Sequence, residues 1–162
     1  MKNEHGFSLV ELLIVVAIIA IIAAIAVPSL LTSRQAANEA SAIQGCRTIG
    51  SAEIAFAATN NQQFTDLLTL WQGRFLDDRY SVGGNVINGY SYQEGDVPDE
   101  GGNTFTAGNY PTDFAFQGQP TTGMGRFTYG VGTDQVVRYV GVVPPTAYPT
   151  GSGVGTPIGK SQ

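Results

Sequence analysis

The chain has 162 residues, 43% of them hydrophobic, and a formal net charge of −5. A chain of this length buries one core, and its acidic balance lacks the basic footprint that phosphate neutralisation needs, so no specific nucleic-acid partner is expected. The single cysteine, Cys46, excludes a disulfide within these residues, and the single histidine, His5, excludes a His/Cys zinc centre or a His-based catalytic set.

In chain order, the first feature is a run from Phe7 to Val27 in which Glu11 is the only ionisable residue. As a helix it reaches roughly 31 Å, enough to cross a bilayer. Apolar side chains fill every side of it, so lipid or a protein bundle must surround it. Lys2 before the run and Arg34 after it give a thin charge asymmetry, read here as a cytoplasmic N-terminus. Glu11 is the informative departure, because a carboxylate inside such a helix costs about 2.5–3.5 kcal/mol on insertion scales. The sequence has no Lys or Arg between Phe7 and Ser33 to pair with it. Cleavage after Gly6 would supply the missing cation as a new α-amino group about one turn away, in the same chain or in a neighbour. An intermolecular pair would set axial register.

Gly6-Phe7-Ser8-Leu9-Val10-Glu11-Leu12, followed by the long apolar run and Pro28, resembles the cleavage and methylation motif of type IV prepilins and pseudopilins. The resemblance covers about residues 6–35 and implies that a membrane-embedded prepilin peptidase cuts after Gly6 and methylates Phe7. It makes Glu11 the acidic residue five into the mature chain and Pro28 the helix-kinking proline. It further implies an inner-membrane precursor that pilus assembly machinery builds into a homo-oligomeric extracellular filament, with no enzymatic activity and no cofactor. Three alternatives stand beside it. One is a pseudopilin of a type II secretion system, another a signal-anchored periplasmic domain, and the third a secretory signal cut after Ala24-Ile25-Ala26, leaving a chain that starts at Val27.

Past Pro28 the pattern becomes amphipathic. Ala36, Ala40, Ile43, Arg47, Gly50, Ile54 and Ala57 recur at spacings of three and four, with Gln35, Asn38, Glu39, Gln44 and Glu53 elsewhere. This predicts a helix from about Ser8 to about Thr59, bent at Pro28, ending at Asn60-Asn61, with the face of Ala36, Ile43 and Ile54 on a head domain and Cys46 as a small buried hydrophobe. Residues 62–88 read as a connecting loop with a short helical turn. Trp71 there is expected in the core, and Asp77-Asp78 between Arg74 and Arg79 as a locally paired charged surface. Alternation at Tyr90–Gln93, Asp113–Gln117, Arg126–Val131 and Gln135–Val140 predicts four strands, the last two joined by a hairpin through Val131-Gly132-Thr133-Asp134-Gln135. The fold class is therefore α+β, a helical spine carrying a small antiparallel head, which is also the fold that the resemblance implies.

The expected organisation is a leader at residues 1–6, a transmembrane or filament-core half-helix at 7–27, an amphipathic half at 28–60, a head at 61–141 and a Pro/Gly-rich tail at 142–162. The tail has a composition expected to form neither sheet nor helix, and its Ser and Thr, with Thr121-Thr122, are candidate O-glycan acceptors. Asp96, Asp99, Glu100 and Asn103 cluster among glycines, either as a solvated acidic turn or as a calcium loop without EF-hand spacing. No nucleophile–base set, phosphate loop or dinucleotide fingerprint is present. Adhesion, motility, DNA uptake and electron transfer are not distinguished by these residues.

Overall fold

The computed structural model describes residues 7–81, 85–94, 97–98, 104–105, 110–141 and 156–158. The chain divides into two compact units, residues 1–34 and 35–162. Helix α1, Leu9–Thr59, begins in the first unit and ends in the second. It ends where Asn61 and Gln62 take positive φ (54° and 62°), a left-handed reversal that stops helical hydrogen bonding.

In the second unit, α1 is followed by α2 (Leu67–Gln72), capped by Asp66 at its start, and by a 3-10 turn over Asp78–Tyr80. Eight short strands follow: β1 Val86–Ile87, β2 Tyr90–Glu94, β3 Val97–Pro98, β4 Thr104–Phe105, β5 Ala115–Pro120, β6 Phe127–Gly132, β7 Arg138–Gly141 and β8 Thr156–Pro157. Six of them form one antiparallel sheet in the order β1-β2-β5-β6-β7-β8, and β3 pairs with β4. The four predicted strands correspond to β2, β5, β6 and β7. The predicted β6–β7 hairpin is present, with the Gln135 amide donating to the Gly132 carbonyl at 3.0 Å.

The core lies where the apolar positions of α1 meet one face of the sheet: Ala42, Cys46, Ile49 and Ala52 join Tyr90, Tyr92, Phe116, Tyr129 and Val131, with Leu67 and Leu70 of α2. Strand alternation puts these aromatic side chains on one face, as period-2 geometry requires. Cys46 is fully buried as expected, and burial pushes its thiol up to about 12. The Tyr92 ring lies in a slot between two glycines. A β-carbon on Gly45 of α1 would run into its hydroxyl, and one on Gly118 of β5 would come within 3.1 Å of Cε1.

The structure corrects three expectations. The buried face of α1 is rotated from the predicted one: Ala36, Ala40, Arg47 and Ile54 are exposed, while Glu39 and Glu53 are buried. The polarity of the two glutamates misplaced them, because one is paired and the other is enclosed by the fold. Trp71 lies outside the core cluster and half exposed, its indole N–H donating to Asp78 Oδ1 at 2.9 Å. The tail does contribute to the sheet: β8 pairs with β7, Arg138 opposite Pro157 and Tyr139 opposite Thr156. An edge strand tolerates proline, because only one side of it needs amide donors. The Asp77–Arg79 pair at 3.0 Å is the local surface pairing expected of that stretch.

Three polar residues near the start of this unit bind the turn between β5 and β6. Gln35 Nε2 donates to the Gly123 carbonyl at 3.1 Å, and Asn38 Nδ2 to the Met124 carbonyl at 2.9 Å. Glu39 takes the Arg126 guanidinium in a bidentate grip, with Nε on Oε1 and NH2 on Oε2, each at 2.9 Å, while Oε1 also accepts from the Arg126 amide. The Arg126 hydrogen bonds hold the Glu39 carboxyl below its ordinary value against the opposing effect of burial. A depressed carboxyl stabilises the fold above the unfolded-state pKa of about 4.5, and that contribution is lost as pH falls through the folded value. Arg126→Ala is therefore expected to lower the melting temperature at pH 7, and the gap from the parent chain to narrow towards pH 3, as followed by circular dichroism.

Candidate functional site: the apolar helix and its acid

In the first unit, the segment from Phe7 to Leu31 leaves its large apolar side chains open. Phe7 is 77% exposed, Ile25 72% and Leu30 68%, and the most apolar window of α1 has a mean hydropathy of 3.2 with no residue buried. Each exposed Leu or Ile forgoes about 1.5–3 kcal/mol of burial, so the segment is completed only by lipid or by other apolar chains.

Glu11 lies in the first turn of this helix. The Leu12 amide donates to the Ser8 carbonyl at 3.2 Å, which makes Ser8 the residue where helical bonding starts, and the Ser8 amide donates to Glu11 Oε2 at 2.9 Å. This is the reciprocal half of a capping box, in which a glutamate at the third helical position reaches back to satisfy an orphan amide. The expectation for Glu11 concerned only a cation. The signal for the cap was present in Ser8-Leu9-Val10-Glu11, a Ser-x-x-Glu ahead of an apolar run.

The backbone stays helical through Pro28. Proline has no amide to give the Ala24 carbonyl, so one helical bond is missing there. Just beyond it, Thr32 Oγ1 and Ser33 Oγ each donate to the Ser29 carbonyl at 2.9 Å, which satisfies both hydroxyls within an apolar stretch.

Among the predicted site residues, the structure thus places Phe7 one residue before Ser8 at the exposed helix start, Glu11 on the Ser8 amide and Pro28 within the helix. Gly6 lies outside the described residues, as do Asp96, Asp99, Glu100 and Asn103. What the site can do chemically is limited to positioning. It offers an apolar surface, one carboxylate as acceptor, and a helix N-terminus whose partial positive charge favours that carboxylate.

Comparison with known proteins gives two findings. The model of the prokaryotic N-terminal methylation motif matches residues 1–27. The Type IV wide pilus major component PilA4 of Thermus thermophilus is 59% identical over 39 residues, which is 24% of this chain and 30% of that relative. The match thus spans about a third of the relative's length. With an apolar helix behind the N-terminal methylation motif and an antiparallel sheet packed on the helix's second half, the chain has a type IV pilin-like α+β architecture, and its first 27 residues are similar to the N-terminal motif of prokaryotic prepilins.

Proposed function

We propose that the chain is the structural subunit of a type IV pilus. It is inserted in the inner membrane as a prepilin, cut by a prepilin peptidase after Gly6, methylated at Phe7, and polymerised by pilus assembly machinery through residues 7–27 into a filament on the cell surface. The observation that carries this reading is the fully exposed apolar helix with one acid in its first turn. Lipid satisfies its apolar surface before assembly, and a bundle of the same helices replaces lipid afterwards.

Cleavage changes the electrostatics at Glu11. Among the described residues the carboxylate accepts from the neutral Ser8 amide, whereas the mature chain adds an α-amino group at Phe7, charged at neutral pH. A charge-assisted contact is roughly twice as strong as a neutral one, so processing makes Glu11 fit for a dry core. Mass spectrometry of the mature protein is expected to show a chain beginning with N-methyl-Phe7. A chain beginning at Met1 or at Val27 refutes the processing step and the assembly scheme built on it.

A further inference from the structure

Glu53, on α1 in the second unit, is wholly buried, and its two carboxyl oxygens are treated differently by the fold. Oε2 accepts a long 3.3 Å bond from the Thr65 amide, in the connection between α1 and α2, while Oε1 is enclosed with no hydrogen-bond partner. The groups facing it are acidic. Asp66 caps α2 by accepting from the Thr69 amide at 2.7 Å, and Glu94, at the end of β2, accepts from the Leu67 amide. The phenol of Tyr110, before β5, feels the same three carboxylates, and the Phe64 amide ties the connection to the Pro111 carbonyl at 2.9 Å. Both charges acting on Glu53 are negative. Among the described residues, no group of three or more His, Cys, Asp or Glu has the geometry to hold a metal ion.

A buried carboxylate with one orphaned oxygen and two like charges for neighbours is stable only as the neutral acid. We propose that Glu53, Glu94 and Asp66 form a proton-controlled latch, which fastens the α1–α2 connection to the sheet while Glu53 is protonated and releases it when Glu53 ionises. Burial first, and then the two neighbouring carboxylates, push the Glu53 carboxyl up to about 8, against the one opposing bond from Thr65. Glu94 is raised for the same reasons and reinforces the effect. The direction is the reverse of that at Glu39. The folded chain keeps a proton that the unfolded chain releases above about pH 4.5, so stability falls as pH rises from about 4.5 to about 8 and is constant beyond. The latch stands on the geometry of the second unit alone and is independent of how the N-terminal helix assembles.

The test compares Glu53→Gln, a neutral isostere, with the parent, using the full chain in detergent micelles. Between pH 5 and pH 9 the parent is expected to lose about 5–10 °C in Tm that the variant keeps. Hydrogen-exchange protection of the Thr65 and Leu67 amides is expected to fall at least about tenfold in the parent only, a factor worth about 1.4 kcal/mol. Identical pH profiles for the two chains overturn the latch. Should the variant fail to fold, the carboxyl carbon of Glu53 followed by NMR in the parent decides: titration near pH 8 supports the proposal, and titration near pH 4.5 refutes it.

Discussion

Replacing Glu11 by valine is expected to abolish filaments while leaving the subunit inserted in the membrane. Valine removes the costly charge from an apolar helix, so insertion is unimpaired or eased. In the filament proposed above, the same change would leave the Phe7 amine buried without its counter-ion, a loss of about 3–5 kcal/mol per subunit. At a factor of ten per 1.4 kcal/mol, that is more than about a hundredfold in the subunit equilibrium. Glu11 also caps the helix through the Ser8 amide, and Glu11→Gln separates the two roles, since an amide oxygen still accepts that bond and carries no charge. Electron microscopy of cells is expected to show long fibres for the parent and none for either variant, with equal amounts of membrane-bound subunit by immunoblot. Abundant fibres from Glu11→Gln would show that capping alone is needed and would end the ion-pair account.

Gly45→Val is expected to lower the melting temperature of the second unit by about 10 °C or more. The α1 backbone approaches β2 so closely at Gly45 that even a β-carbon collides with the Tyr92 hydroxyl, and the ring cannot retreat because Gly118 closes the slot from the other side. Tyr80 also packs edge-on against Tyr92, with centroids 5.2 Å apart. Overpacking of a tight core costs about 1–3 kcal/mol for added methylenes, and more where backbone must move, against a total stability of about 5–15 kcal/mol. Tyr92→Phe provides the control. The hydroxyl it removes is buried without a hydrogen-bond partner, so the single change is expected to be neutral or mildly stabilising. Combined with Gly45→Ala it is expected to recover only a minor part of the melting temperature lost by Gly45→Ala alone, because ring atoms Cζ and Cε1 still lie in the path of the added β-carbon. Full recovery in thermal melts would place the cost of the alanine at the Tyr92 hydroxyl alone and would overturn the ring contact as its cause.

The helix, the four main strands and their hairpin were legible from pattern: an unbroken apolar run for the first half of α1, a period near 3.6 for its second half, and a period of 2 along β2, β5, β6 and β7. The orientation of α1 was not. Polarity assigned Glu39 and Glu53 to solvent, but Arg126 pairs the first from 87 residues away, and the second is enclosed by Thr65, Asp66 and Glu94. Neither arrangement leaves a trace within the helix itself. The pairing of Thr156–Pro157 was hidden for a similar reason, since composition reports the cost of proline inside a sheet but not its tolerance at an edge. Trp71 was misread by size: a large indole with a polar N–H finds Asp78 at the surface as readily as a place in the core. At the N-terminus the motif around Gly6, Phe7 and Glu11 carries a charge signal and, in Ser8-Leu9-Val10-Glu11, a capping signal for the Ser8 amide.

The bonds from Gln35, Asn38 and Glu39 to the turn at Gly123, Met124 and Arg126 have a mechanical consequence. A tug applied through the N-terminal part of α1 reaches the rest of the unit at these residues before it reaches the greasy contacts around Cys46 and Ile49. Directional polar contacts resist sliding until they snap, whereas apolar surfaces creep past one another. Under such a load the chain is expected to yield at this ionic rivet first, with the aromatic interior spared until the rivet has opened.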